Sequence, residues 1–196
     1  MRRRFLPTSL HADLLEAGCD EAGRGCLAGP VFAAAVILPP GFEHLWLKDS
    51  KVLNDKRRDF MRELIEAEAV AWAVGAASAQ EIDEINILHA TILAMHRALD
   101  GLSVTPEFVV VDGNIFRPWR PDVPYSTVVQ GDASVGNIAA ASILAKTHRD
   151  EYICRAAREY PQYGWEQNKA YPTPAHREAI EKYGPCPLHR MTFRLV

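Results

Sequence analysis

Four consecutive apolar residues, Phe108-Val109-Val110-Val111, run straight into Asp112-Gly113. A run this short and this uniformly apolar fits a strand buried on both faces, the kind found in a parallel sheet covered by helices. Segments of helical period flank it on either side. Ser78 and Glu81 stand at capping-box spacing. Behind them Ile85, Leu88, Ile92, Met95 and Leu99 recur every three or four residues until Gly101 stops the pattern. Further on, Val135 to about Glu159 reads as a long helix. Its early turns, Ile138-Ala139-Ala140-Ala141-Ser142, are small enough to let the axis lie close to a sheet.

The other elements fall into place around these. Ala12 to Cys19 and Val31 to Leu38 read as a hairpin ended by Pro39-Pro40-Gly41. Asn54 caps a helix through about Glu68, with Phe60, Leu64 and Ile65 on its apolar side. Val70 to Ala77 is a third strand. Tyr125 to Val129 repeats the design of the apolar strand and is followed by Gln130-Gly131-Asp132. After Pro161 the chain is rich in loops, with one helix over Ala175 to Tyr183. The expectation is one α/β domain spanning residues 1–196, with a C-terminal helical extension from about residue 161.

Bulk properties narrow the function. With 196 residues the chain can bury a substantial core. No apolar run approaches a membrane span. The basic start, Met1-Arg2-Arg3-Arg4-Phe5-Leu6-Pro7, lacks the apolar stretch of a secretory signal, which predicts a cytoplasmic protein. Cys19, Cys26, Cys154 and Cys186 are scattered, so neither a zinc site nor a disulfide framework is indicated. The net charge of -3 and pI near 6.2 argue against a generally basic nucleic-acid binder. Positive charge is nevertheless clustered, at Lys48 and Lys51, Lys56-Arg57-Arg58, Lys146 to Arg149 and His189-Arg190; each cluster alone reads most simply as a solvated surface. A single compact domain predicts a monomer.

Chemistry is concentrated at Cys19-Asp20-Glu21-Ala22-Gly23-Arg24-Gly25. Two adjacent carboxylates stand before a glycine-arginine-glycine turn, at what reads as the end of the first strand. Neighbouring strand residues point to opposite faces, so the two acids share a site only if the pleat breaks there. Asp112 and Asp132 also follow apolar strands, and in open α/β sheets the ligand crevice lies beyond the carboxyl ends of the strands. Four carboxylates gathered there repel one another unless cations lie between them. Aspartate and glutamate oxygens suit Mg2+ or Mn2+. A pair of such ions can clamp the attacking and leaving oxygens of a phosphoryl displacement. A glycosidase would need only two carboxylates at a fixed separation, and nothing marks such a pair.

Between Ala17 and Phe193 the motifs run in the order Asp20 to Gly25, Gly29-Pro30-Val31, Asp49 to Leu53, Ile85 to Leu88, Val111-Asp112-Gly113, Gly131-Asp132, Ala139 to Lys146, Tyr171-Pro172-Thr173, His176, Tyr183-Gly184-Pro185 and His189-Arg190. Taken together and in this order, they resemble those of the ribonuclease HII family. The resemblance implies a ribonuclease H-like five-stranded mixed sheet flanked by helices. It implies hydrolysis of RNA in RNA–DNA hybrids and incision 5′ to single ribonucleotides in duplex DNA, leaving 3′-hydroxyl and 5′-phosphate ends. It makes Asp20, Glu21, Asp112 and Asp132 the metal-binding catalytic acids for two Mg2+ or Mn2+ ions. It gives the backbone of Gly23, Arg24 and Gly25 the 2′-hydroxyl, and Tyr171 the neighbouring sugar. Lys48, Ser50, Lys51, Asn86 and Lys146 are expected phosphate contacts, which position a duplex without reading its sequence.

One residue departs from the family pattern: Ala170 stands where glycine usually precedes the tyrosine. His148, His176 and His189 have no catalytic role in this reading. The rival readings are a metal nuclease that cuts ribose-free duplexes, a binding module without catalysis, and an actin-like ATPase. The last lacks a second half to enclose a nucleotide.

Overall fold

A computed structural model describes residues 5–47 and 53–196. Five strands form one mixed sheet: β1 (Glu16–Ala22), β2 (Val31–Ile37), β3 (Ala71–Ala77), β4 (Phe108–Asp112) and β5 (Tyr125–Val128), in the order β3-β2-β1-β4-β5. The first three pair antiparallel, whereas β1, β4 and β5 run parallel. Helices α1 (Asp55–Glu68) and α3 (Gly136–Glu159) cover one face, and α2 (Ala79–Asp100) covers the other. Two short helices, α4 (Trp165–Asn168) and α5 (Pro174–Tyr183), close the C-terminal region. No helix among the described residues is long and apolar enough to cross a membrane.

Alternation along β1 and β2 explains the layering. Ala17, Cys19, Ala33 and Ala35 face α2, while Ala34 and Val36 face α1 and α3. Gly18 faces α3 so closely that a Cβ there would lie 2.6 Å from the Asn137 Cβ. The side chain of Asn137 ties the layers together: its Oδ1 accepts from the Leu38 amide at 2.9 Å, and its Nδ2 donates to the Glu16 carbonyl at 2.9 Å. No side chain caps α3. Instead the Gly136 and Asn137 amides donate to the Pro7 and Thr8 carbonyls at 2.8 and 2.9 Å, so the N-terminal segment completes the helix.

Three expectations need correction. The first strand lies at Glu16–Ala22 rather than Ala12 to Cys19; residues 12–14 form a turn, so Asp20 and Glu21 sit inside the strand and not past its end. The β5 strand is an edge strand with alternating exposure, because it borders only β4, and is not the fully buried strand its apolar residues suggest. The apolar stripe of α2 hides a break at Asn86, whose φ of 65° and ψ of 164° are not helical. Its Oδ1 accepts from the Leu88 and His89 amides at 3.0 and 3.2 Å, restarting the helix as a cap would. A regular i, i+3, i+4 pattern continues on both sides of such a break and therefore conceals it.

A third cluster of buried residues joins Cys26, Leu27 and Ala28, from the loop after β1, to Ile153 and Ala157 of α3 and to Tyr163, Trp165, Ala170 and Ile180. The C-terminal region is thereby packed against the loop that follows the acids. Since Gly18 sets the spacing between β1 and α3, Gly18→Ala should destabilise the protein by about 1–3 kcal/mol through overpacking. Urea unfolding measures this; a change below about 0.5 kcal/mol would mean the helix can shift without cost.

Candidate active site

Because β4 stops pairing with β1 at Cys19↔Val111, the last residues of β1 have an open edge beside Asp112. Asp20 points to the α3 face, as Gly18 does, and Glu21 to the α2 face, as Cys19 does. The pleat does not break, contrary to the expectation. Both carboxylates still border one cleft, because its walls wrap around that open edge: Asp20, Glu21, Gly23, Arg24, Asp112, Ser142, Lys146 and Tyr171 line it. A smaller cavity on the α2 side shares Glu21, Arg24 and Asp112 and adds Leu88, Thr91 and Asn114.

Asp20 is 5% exposed. Burial, then the charges of Glu21 and Asp112, push its carboxyl well above the usual range; hydrogen bonds from Ser142 and the Glu21 amide oppose this only in part. The amide bond measures 2.7 Å. Asp112 Oδ1 accepts from the Gly131 amide at 2.7 Å. Glu21 Oε1 lies 3.3 Å from Arg24 Nη1. Asp132 is buried in a 3-10 turn, Gly131–Ala133, one residue from the amide that holds Asp112. The cleft wall brings together Asp20, Glu21 and Asp112, and Asp132 is not part of that wall. Among the described residues, no three carboxylate, imidazole or thiol groups form a ready-made metal cage.

The donor set nevertheless suits a hard divalent cation. It is all oxygen, and a cation between the carboxylates would relieve the repulsion that raises Asp20. Asp20, Glu21 and Asp112, which share the cleft wall, could hold such an ion directly.

Substrate-side candidates fall into three groups. Gly23, with φ of +94°, begins the turn, and a Cβ on Gly25 would meet nothing within 4 Å, so bare backbone is presented there. Lys146, one helical turn beyond Ser142, pairs with Asp150 at 2.7 Å and places its Nζ 5.5 Å from the centre of the Tyr171 ring. Tyr171 is 38% exposed on the rim of the cleft. Asn86 is exposed, with its oxygen engaged by the helix restart. Lys48, Ser50 and Lys51 lie outside the described residues.

Arg149 and Arg190 correct the reading of the basic clusters as solvated: both are 0% exposed. Arg149 donates to Cys26 Sγ at 2.9 Å, to the Lys169 carbonyl and to Asp150 Oδ1 at 3.0 Å. Arg190 donates to the Gly29 and Arg24 carbonyls at 3.0 and 2.9 Å. Burial pulls its guanidinium down to about 10, so it stays charged at neutral pH. Sequence reasoning missed these two and Ser142. The signal for two of them was present, since Ser142, Lys146 and Arg149 share a helix face at i, i+4, i+7 spacing.

His148, His176 and His189 each bond to other parts of the fold. His148 Nε2 lies 2.8 Å from Glu66 Oε1 and links α3 to α1. His189 Nδ1 accepts from the Cys186 amide at 2.9 Å, so its other nitrogen carries the proton toward His176 Nε2, 3.3 Å away. The same His176 nitrogen accepts from Trp165 at 2.9 Å, and His176 Nδ1 donates to the Tyr171 carbonyl at 3.0 Å. A chain of bonds thus runs from the C-terminal segment to the peptide carrying Tyr171.

The ribonuclease HII family model matches residues 17–196. The chain belongs to the ribonuclease HII family. It is a metal-dependent ribonuclease. Ribonuclease HII of Bacteroides thetaiotaomicron is 60% identical over 187 residues, covering 95% of this chain and 93% of the relative. Among solved structures, ribonuclease H2 of Pyrococcus horikoshii superposes with a TM-score of 0.77 at 26% identity, covering 92% of this chain and 94% of that one. The RNase HII of Archaeoglobus fulgidus, solved as a complex with PCNA, gives 0.78 at 27% identity, covering 93% and 96%. The five-stranded mixed sheet flanked by helices is therefore the family's fold.

Two outcomes test this geometry. Ala170 has a φ of 61°, unusual for a side chain with a Cβ. Ala170→Gly should therefore stabilise the protein by about 0.5–1 kcal/mol, seen as a higher denaturant midpoint; a lower midpoint would show that the backbone there is unstrained. Burial, then His176, lowers His189 from 6.5 to about 4. The unfolded chain consequently binds a proton that the folded one refuses between those values. Stability should fall as pH drops from about 6.5 toward 4, and His189→Gln should flatten that slope. An unchanged slope in the variant would assign it to other groups.

Proposed function

We propose that this ribonuclease hydrolyses the RNA strand of RNA–DNA hybrids and incises duplex DNA 5′ to single embedded ribonucleotides, leaving 3′-hydroxyl and 5′-phosphate ends. The observation that carries this reading is the buried Asp20 carboxyl, destabilised by Glu21 and Asp112, at the floor of a cleft rimmed by a bare glycine turn and an exposed tyrosine.

In this reading Asp20, Glu21, Asp112 and Asp132 hold two divalent ions, Mg2+ or Mn2+. Such ions supply activation of the attacking water and charge stabilisation at the departing 3′ oxygen. The protein's own groups do the rest. Ser142 and the Glu21 amide fix the Asp20 carboxylate, and the Gly131 amide fixes Asp112. The Gly23-Arg24-Gly25 backbone meets the 2′-hydroxyl, which both donates and accepts hydrogen bonds and separates RNA from DNA. Tyr171 packs on the sugar of the next nucleotide, and Lys146 neutralises a phosphate beside it. Lys48, Ser50, Lys51 and Asn86 contact phosphates of the duplex. The working form is a cytoplasmic monomer on its nucleic acid.

Duplexes that differ only by one embedded ribonucleotide test the reading. With Mg2+ or Mn2+ the ribose-containing duplex should be cut and its all-DNA twin left intact; equal cutting of both would make this a general nuclease. Asp20→Asn should lower incision by at least about 10²-fold while duplex binding persists. Near-normal incision by that variant would remove Asp20 from the chemistry.

A further inference from the structure

Among the described residues, the buried side-chain polar atoms without a hydrogen-bond partner are Arg149 Nε and Arg190 Nη2. Both belong to fully buried guanidinium groups behind the cleft. Burying a charged group is costly unless it is well bonded, and each orphaned donor adds to that cost.

What they hold is specific. Arg190 donates to the carbonyl of Arg24, the middle residue of the glycine turn, and to that of Gly29 at the end of the same loop. Arg149 lies directly under Gly23: a Cβ on that glycine would come within 2.9 Å of its Nε. The same guanidinium donates to Cys26 Sγ, in the loop, and to the Lys169 carbonyl, two residues before Tyr171. Its Cζ lies 5.2 Å from the centre of the Tyr171 ring. One cation therefore touches both elements that meet the substrate sugars, and the other clamps the loop between them. Further bonds close the assembly, since the Leu27 amide donates to the Ala170 carbonyl at 2.9 Å and the Arg190 amide to the Leu27 carbonyl at 2.9 Å.

We propose that Arg149 and Arg190 are positioning residues that fix the separation of the Gly23-Arg24-Gly25 turn from Tyr171, and through it the preference for a ribonucleotide followed by a deoxyribonucleotide. Neither needs to touch substrate. The proposal rests on the functional reading above, in which the turn meets the ribose and Tyr171 the adjoining sugar. A guanidinium suits the task because its planar fork bonds several acceptors in fixed directions at once. Lysine would keep the charge and lose the fork.

Arg149→Lys and Arg190→Lys test this, each assayed on a duplex with one embedded ribonucleotide and on a uniform RNA–DNA hybrid, with melting temperatures recorded. The expected result is a fall of about tenfold in the ratio of the two incision rates, since small misplacements of positioning groups carry large rate penalties. Ala170→Gly, which relaxes the backbone beside Tyr171 and leaves both arginines in place, should keep the wild-type ratio. Variants that unfold, that lose both substrates in equal proportion, or that retain the ratio would reduce the arginines to supports of the core and overturn the proposal. So would a ratio changed as strongly by Ala170→Gly. Failure of the functional reading looks different: the unmodified protein would then show no preference for the ribose-containing duplex.

Discussion

The close approach of α3 to β1 is the constraint from which the site follows. It requires a residue without a side chain at Gly18 and small residues along the first turns of α3. At that distance Ser142 reaches the Asp20 carboxyl, and Asp20 loses most of its water. A carboxyl so placed, with Glu21 and Asp112 nearby, is held in an environment that disfavours its own charge. A wider spacing would leave Asp20 hydrated and Ser142 out of range. Stability is thus set against function at this point, and the tie from Asn137 to both Leu38 and Glu16 keeps the two layers from separating.

The second constraint is the end of β4. Had it continued alongside β1, Asp20 and Glu21 would have been sealed on opposite faces of the sheet. Its early stop leaves an open edge around which the cleft wraps, and this lets adjacent strand residues serve one site without a distorted backbone. The C-terminal region then supplies the far wall. Through His189, His176 and Arg190, together with Arg149 of α3, it holds both the loop after β1 and the peptide carrying Tyr171.

Much of this was legible in the sequence, for identifiable reasons. Capping residues at Asn54 and Ser78 and the stop at Gly101 located helices, because their local chemistry is self-sufficient. The apolar run at Phe108 located the buried strand, since few other environments accept it. Elements whose conformation depends on distant partners were not legible. The first strand slid by several residues because Glu16 and its pairing with β4 decide where it starts. The break at Asn86 is made by one side chain inside an unbroken apolar stripe. Arg149 and Arg190 read as surface charge because burial of arginine depends on carbonyls that only the folded chain brings near. The acids were recognisable as a set; that Asp132 is buried in a 3-10 turn and does not line the cleft was not.

Anomalous diffraction from crystals soaked in Mn2+ tests the account most directly. It predicts manganese in the cleft, bound by Asp20, Glu21 and Asp112, with that density lost in an Asp20→Asn crystal. Manganese bound elsewhere with the cleft empty, or a cleft site indifferent to Asp20, would contradict it.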